Sequence, residues 1–247
     1  MGSTLARYAT VHRMRFEGIR TPETLDLGRR PEGSLSWKIG PSGEVGPDGY
    51  RLPAAVWCAI GLYPDLEAAA DAMAAREEFM PFLAEVRESW HGLLLPIMHR
   101  GECNYLERER PDTIFEASQS DAGGLCMVVT TAGFVPGPDF RVERVIDFRR
   151  NVDLTNEWMG KAPGCLANQV FTPHTVGDDG CTMSIWTDDA AMLAAAYRPG
   201  GHRAQIDRHK EAAVMDRSSF TRCRILEASG EWDGRNPARV ELKRNPS

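Results

Sequence analysis

Two stretches of the chain, about half its length apart, share one order of apolar and polar positions. The first runs from Leu62 through Tyr63 to Asp65, and the second from Ile185 through Trp186 to Asp188. In each stretch an apolar run ends in an aromatic residue, and a spacer, an Asp and an Ala-rich segment follow. A strand that ends at an Asp N-cap and enters a helix produces this order. The repeat predicts two similar halves, with a pocket within or between them.

The periodicity of apolar positions predicts further elements on both sides of this repeat. Runs that are rich in β-branched or alternating apolar residues predict strands over 10–16, 54–62, 89–98, 125–131, 165–172, 181–187 and 220–228. Helical spacing predicts helices over 65–76, 79–88, 140–158, 189–197 and 202–215. Strands and helices therefore alternate, but the strands are too few for a doubly wound parallel sheet.

This order of elements predicts an α+β fold built from two ferredoxin-like halves in tandem. The N-terminal half is expected over residues 1–100 and the C-terminal half over 125–247, with a polar linker at 101–124 that contains Gly, Pro, Ser and Asp. Two such halves can pair their antiparallel sheets into a barrel-like unit that buries a central cavity. A chain with both halves closes its own sheet edges, so a homodimer can form but is not needed for the site.

Composition narrows the functional classes. The formal net charge is −6, which argues against nucleic acid as a main partner. The longest apolar segments have fewer than ten residues, so no membrane span is expected, and no signal peptide is visible, which predicts a cytoplasmic protein. The six cysteines include no CxxC pair, so they are expected to be reduced and mostly buried rather than zinc ligands.

Local motifs exclude other common chemistries. The Gly-rich stretch at 40–46 lacks the GK[ST] of a phosphate-binding loop, and no G-x-S-x-G elbow occurs. The sequence also lacks HExxH, and no local spacing provides two histidines and one carboxylate for a metal.

Two longer patterns resemble the spheroidene monooxygenase-like family. The first is SWKIGPSG at 36–43, followed by the strand that ends at Tyr63-Pro64-Asp65. The second joins TMSIW at 182–186 to His202, then to RCRIL at 222–226 and GEW at 230–232. This resemblance implies a fold of the dimeric α/β-barrel type and haem b as cofactor. Departures at Val214 and in 102–124 favour a substrate smaller than a carotenoid.

The resemblance also implies roles for individual residues. His202 is expected to be the axial haem ligand and the catalytic residue, with His209 as the second choice. The two histidines are seven residues apart on a predicted helix, too far to bind one metal together. Lys38 is expected near a haem propionate or an anionic group of the substrate, with Trp37 lining the pocket. Arg222 and Arg224 are expected to hold haem propionates. The alternatives are a surface position for His202, a turn around Trp37 and Lys38, and solvent-exposed arginines.

The expected function is a haem-dependent monooxygenase or oxidase that acts on a hydrophobic or specialised-metabolite substrate. A haem-dependent dehydratase of the same fold is one alternative, because haem in this fold also supports dehydration of oximes. Two further alternatives lack haem: a small-ligand-binding protein and a cofactor-independent oxygenase. The expected partners are a small-molecule substrate and, for a monooxygenase, an electron-donor protein.

Overall fold

A computed structural model describes residues 5–27, 29–103, 116–118, 121, 123–135, 137, 140–174, 177–197 and 214–239 of the protein. Its strands are β1 (Tyr8–Arg20), β2 (Ser36–Pro41), β3 (Ala54–Tyr63), β4 (Glu88–Gly101), β5 (Cys126–Gly133), β6 (Cys165–Phe171), β7 (Gly180–Trp186) and β8 (Arg217–Gly230). The α-helices are α1 (Leu66–Ala74), α2 (Arg76–Phe79), α3 (Val142–Gly160) and α4 (Asp189–Tyr197). Short 3-10 turns occupy Pro22–Thr24 and Pro81–Glu85.

All eight strands form one sheet in the order β2-β3-β1-β4-β8-β5-β7-β6, and every neighbouring pair is antiparallel. The pairing of β4 with β8 joins the first four strands to the last four. Within each group the fourth strand lies beside the first, the third follows and the second forms the edge. The molecule is a mixed α and β fold with a curled antiparallel sheet and few helices.

The curl brings the two edges of the sheet together. The amide of His174 donates to the carbonyl of Ile39 over 2.8 Å, and the amide of Thr172 donates to the carbonyl of Pro41 over 3.3 Å. A Cβ at Gly40 would lie 1.9 Å from the carbonyl oxygen of Thr172, so this approach requires glycine. The edge strand β2 is thereby covered instead of being left open for another chain.

Side chains fill the inside of the curled sheet. The buried cluster there combines residues of both halves, among them Val11, Ile60, Leu94, Met183 and Cys223. Apolar side chains from the two halves thus pack together in the interior, where a central cavity was predicted. Two further buried clusters lie on the outer faces of the sheet, one against α1 and α2 and the other against α4.

The repeated stretch forms as predicted in both halves. Asp65 accepts a hydrogen bond from the amide of Ala68 over 2.9 Å, and Asp188 accepts one from the amide of Ala191 over 2.8 Å. Each Asp caps a helix that begins directly after a strand. The aromatic residues before them, Tyr63 and Trp186, are both fully buried.

Three predictions of secondary structure differ from the structure. Residues 36–41 form the strand β2 rather than a turn around Trp37. The helix predicted over 79–88 is wrong, since α2 ends at Phe79 and Pro81 begins a 3-10 turn. Most of the helix predicted over 202–215 lies outside the described residues, and the two described residues at its end, Val214 and Met215, are not helical.

The cysteines have the predicted state. All six are free, and five of them are buried. Burial raises the pKa of the Cys58 and Cys126 thiols to about 12. These two thiols are therefore protonated and unreactive at neutral pH. No helix in the described part of the chain combines the length and the apolar character that a membrane crossing requires.

Candidate ligand cavity of the second half

A cavity of about 510 Å³ lies between α3 and the outer face of the second-half sheet. This volume is in the usual range for small-molecule sites. One wall is the α3 face with Phe148, Val152, Thr155 and Met159, and the opposite wall is the sheet with Val128, Thr130, Ala132, Gly180, Thr182, Ser184 and Phe220. Trp186 and Met192 close the end beneath α4.

The two halves differ at the positions that decide whether such a cavity exists. Tyr8 is paired with Tyr63 across β1 and β3, and Cys126 is paired with Trp186 across β5 and β7. Six residues further along, the first half pairs Met14 with Trp57, whereas the second half pairs Ala132 with Gly180.

Met14 and Trp57 are fully buried in the layer beneath α1 and α2. Ala132 and Gly180 leave the corresponding space of the second half to the cavity. A Cβ at Gly180 would lie 3.6 Å from Thr172 Oγ1 and 3.7 Å from Arg149 Nε, which are ordinary contact distances. Glycine here is therefore not required by packing or by backbone conformation, and its effect is to keep space open.

The charges at the cavity are all positive among its described lining residues. They comprise three arginines, Arg51, Arg100 and Arg149, and no Asp or Glu. Arg51 is paired with Asp153 over 2.6 Å, and Arg100 is exposed on β4. Arg149 is only 6% exposed, and desolvation lowers its pKa to about 10, so its guanidinium remains charged at neutral pH. The cavity therefore suits a ligand with an apolar body and an anionic group.

None of the predicted site residues in the described part of the chain lines this cavity. Trp37 packs edge-on against Phe79 and His12 in the first half. The ammonium of Lys38 contacts Asp178 Oδ1 over 2.8 Å. His202 and His209 lie outside the described residues. Their predicted roles stay predictions.

Arg222 and Arg224 share one face of β8 but contact carboxylates. Arg224 binds both oxygens of Asp121 (2.6 and 2.8 Å) and both oxygens of Asp189 (2.9 and 2.5 Å). Arg222 lies 3.6 Å from Asp189. Hydrogen bonds to these acids raise the pKa of the Arg224 guanidinium and lower those of the two carboxyl groups. A haem propionate at Arg224 would have to displace at least one of these acids.

The structure also reveals a buried histidine pair that sequence reasoning missed. His12 Nδ1 lies 2.8 Å from His91 Nδ1, and the Nε2 atoms contact Thr10 Oγ1 and Ser89 Oγ. Burial, with a contribution from Arg76, lowers the pKa of His91 to about 4, and burial with the neighbouring His91 lowers that of His12 well below its ordinary value. The pair is thus neutral at pH 7. In the sequence, His12 shares one face of β1 with Met14 and Phe16, which indicates burial but no partner.

Metal-binding groups are limited in the part of the chain that the structure describes. No set of three or more His, Cys, Asp or Glu side chains is arranged there to hold a metal ion. The described histidines are His12, His91, His99 and His174, and none of them lines the cavity.

Comparisons with known proteins define the fold but not a family. No protein-family model matches the chain, and no curated protein sequence matches it. Among solved structures, the aldoxime dehydratase OxdRE, determined with butyraldoxime, is similar over 92% of this chain and 81% of its own, with 10% identity and a TM-score of 0.56. This likeness places the chain in the same fold class as that enzyme.

Two other solved structures have lower scores. An anthrone oxidase-like protein is similar over 91% of this chain and 93% of its own, with 12% identity and a TM-score of 0.29. The cofactor-independent oxygenase SnoaB of Streptomyces nogalater is similar over 49% of this chain and 99% of its own, with 16% identity and a TM-score of 0.30.

Proposed function

We propose that the protein is a haem-dependent enzyme of the monooxygenase or oxidase type, with the cavity beneath α3 as its active site. The observation that carries this proposal is the difference between the halves: the layer filled by Met14 and Trp57 in the first half is open beside Ala132 and Gly180 in the second. The substrate is a hydrophobic or specialised metabolite, since most of the wall is apolar. The shared fold with an aldoxime dehydratase supports an enzyme.

The cavity lining suits haem in polarity and charge. Its apolar walls suit a porphyrin, and Arg149 and Arg100 would hold the propionates. Ala196 and Met215 lie on either side of residues 198–213 in the chain, and both line the cavity. His202 and His209 belong to that stretch. The described residues before and after the stretch therefore lie at the proposed haem site. The resemblance to spheroidene monooxygenase-like proteins supports His202 as the axial ligand and His209 as the second choice.

We also infer that the two halves are tandem ferredoxin-like units of the dimeric α/β-barrel type. The second half supports this with the order strand, helix, strand, strand, helix, strand. The first half has the same strand order in the sheet, but a 3-10 turn at Pro22–Thr24 replaces its first helix. In this duplicated unit, Met14 and Trp57 fill the space of the first half, and the space in the second half is open. The protein therefore has one proposed site rather than two.

The haem would supply activation of oxygen, peroxide or a coordinated substrate, and the protein would provide the surroundings. Phe148, Val152 and Met159 would shield one side of a bound ligand from water, while Thr130 and Thr182 lie on the opposite wall with their hydroxyl groups. Shielding from water would strengthen each polar contact that orients the substrate.

The test is the visible absorption spectrum of the purified protein after addition of haem. The wild type is expected to show a Soret band of a histidine-ligated haem, and His202→Ala should change that spectrum while His209→Ala leaves it intact. The reverse result would make His209 the ligand. A protein that binds no haem contradicts the proposal and leaves a cofactor-independent oxygenase or a small-ligand-binding protein.

A haem-dependent dehydratase is the second candidate, and it rests on the fold that the chain shares with OxdRE. Addition of butyraldoxime to the haem-loaded protein separates the two candidates. A shift of the Soret band followed by formation of the nitrile supports the dehydratase, whereas no shift and no product counts against it.

A further inference from the structure

Arg149 differs from the other buried arginines of the described chain. Arg13 is paired with Glu88 and Asp233, Arg51 with Asp153, and Arg224 with Asp121 and Asp189. Arg149 forms no ion pair with a described carboxylate. Its Nη1 donates to the carbonyl of Gly49, and its guanidinium lies over the ring of Tyr50, 4.9 Å from the ring centre. A buried charge normally has a charged partner. Arg149 has none among the described carboxylates, so a ligand can supply the counter-ion.

The acids whose charge acts on Arg149 already have other partners. Asp179 is paired with Arg217, whose Nε–H is shared between the two carboxylate oxygens (2.8 and 3.1 Å) and whose Nη2 lies 2.7 Å from Oδ1. Asp48 accepts a hydrogen bond from the amide of Tyr50 over 2.9 Å. Desolvation lowers the pKa of Arg149 most; electrostatic interaction with Tyr50 raises it, Arg51 lowers it, and the two acids raise it less than Tyr50 does. Desolvation outweighs these contributions, and the positive charge of Arg149 is left without a direct counter-ion among the described residues.

The cavity gives a ligand access to this charge. Arg149 and Gly180 both line it, and a Cβ at Gly180 would lie 3.7 Å from Arg149 Nε. The absence of a side chain at Gly180 therefore leaves room beside the guanidinium. Most of the remaining wall surface is apolar and comes from side chains of α3 and the sheet such as Val152, Val128 and Phe220.

We propose that Arg149 is the anion-binding residue of the cavity and that its ligand is amphipathic, with an apolar body along α3 and a carboxylate at the guanidinium. The carboxylate belongs either to the substrate or to a haem propionate. This inference rests on the proposed function only in using the same cavity, and it holds whether or not the protein binds haem.

The first experiment compares two probes of one shape, 2-naphthoate and 2-naphthamide, by isothermal titration calorimetry with the protein before haem is added. The wild type is expected to bind the acid more tightly than the amide. Arg149→Gln should weaken binding of the acid about 30-fold, equivalent to about 2 kcal/mol, and change binding of the amide less than about threefold. The matched control is Arg150→Gln, the exposed neighbour on the same helix, which should leave both affinities unchanged.

The second experiment repeats the comparison with haem and its dimethyl ester, in which both propionates are blocked. If a propionate occupies Arg149, Arg149→Gln weakens binding of haem but not of the ester, and haem loading abolishes the preference for 2-naphthoate. If the substrate supplies the carboxylate, the Arg149→Gln protein binds 2-naphthoate more weakly than the wild type does. It binds haem and the dimethyl ester as tightly as the wild type.

Two results would overturn the anion site: acid and neutral probes that bind alike to the wild type in both experiments, or equal effects of the Arg149 and Arg150 substitutions. If Arg149→Gln does not fold, Arg149→Lys decides, because lysine keeps the charge but lacks the planar fork. A several-fold loss confined to the anionic probe supports the proposal, and an equal effect on both probes contradicts it. A protein that prefers 2-naphthoate but binds no haem refutes the haem proposal alone.

Discussion

Trp57→Ala is expected to lower the free energy of unfolding by about 3–5 kcal/mol, the usual cost of deleting a large buried aromatic side chain. Trp57 is fully buried between the first-half sheet and its helices, and its Nε1 donates to the carbonyl of Ala54 over 3.0 Å. The substitution removes this hydrogen bond and leaves a cavity in a layer that is otherwise filled. Urea denaturation followed by circular dichroism measures the change.

The matched substitution in the second half is Gly180→Ala, at the position that corresponds to Trp57. Its new methyl group makes only ordinary contacts, so the free energy of unfolding should change by less than about 1 kcal/mol. A loss of several kcal/mol in this variant, or a negligible loss in Trp57→Ala, would show that the two halves are not packed as differently as the structure indicates.

The buried histidine pair is expected to make the protein less stable as the pH falls from about 6.5 to about 4. His91 has a pKa of about 4 in the folded protein and an ordinary value near 6.5 when unfolded. Between these values the unfolded chain binds more protons, so the stability present above pH 6.5 is progressively lost. The shift of His91 alone corresponds to about 3 kcal/mol. Protonation of both rings would also place two N–H groups against each other across 2.8 Å.

The measurement is the free energy of unfolding as a function of pH for the wild type, His91→Gln and the exposed-site control His174→Gln. The control should follow the wild type, whereas His91→Gln should show a clearly smaller loss between pH 6.5 and 4. If all three proteins show the same pH dependence, the pair is not what makes the wild type sensitive to acid.

Much of the fold could be predicted from local sequence patterns. The strand, the Asp cap and the following helix involve neighbouring residues. The sequence therefore predicts the strand-to-helix units at Asp65 and Asp188 directly. The strand β2 was missed because its Gly40 and Pro41 are typical of turns, while its stability comes from pairing with β3 and from contact with Thr172. Such contacts between distant residues leave no periodic signal.

The candidate site was less predictable for the same reason. The cavity depends on two small residues, Ala132 and Gly180, and on a register that pairs them across two strands. Ala132 and Gly180 are smaller than Met14 and Trp57, but neither belongs to a sequence motif with a chemical role. The sequence alone therefore does not show that they face each other. Arg149 was hidden in the same way, because its lack of an ion pair is a property of the packed structure. The sequence pattern indicated Arg224 instead. The charge of Arg224 is already paired with Asp121 and Asp189.

The most direct test of the central claim, that the second-half cavity is the ligand site, is a haem titration followed by visible absorption with two tryptophan variants of α3. Val152 faces the cavity, whereas Leu154 on the same helix is 65% exposed. Val152→Trp should weaken haem binding by at least about 100-fold because the indole fills the space of the ligand, a loss of about 3 kcal/mol. Leu154→Trp should bind as the wild type does. Wild-type binding by Val152→Trp, in a protein that remains folded, would contradict the account and place the ligand elsewhere.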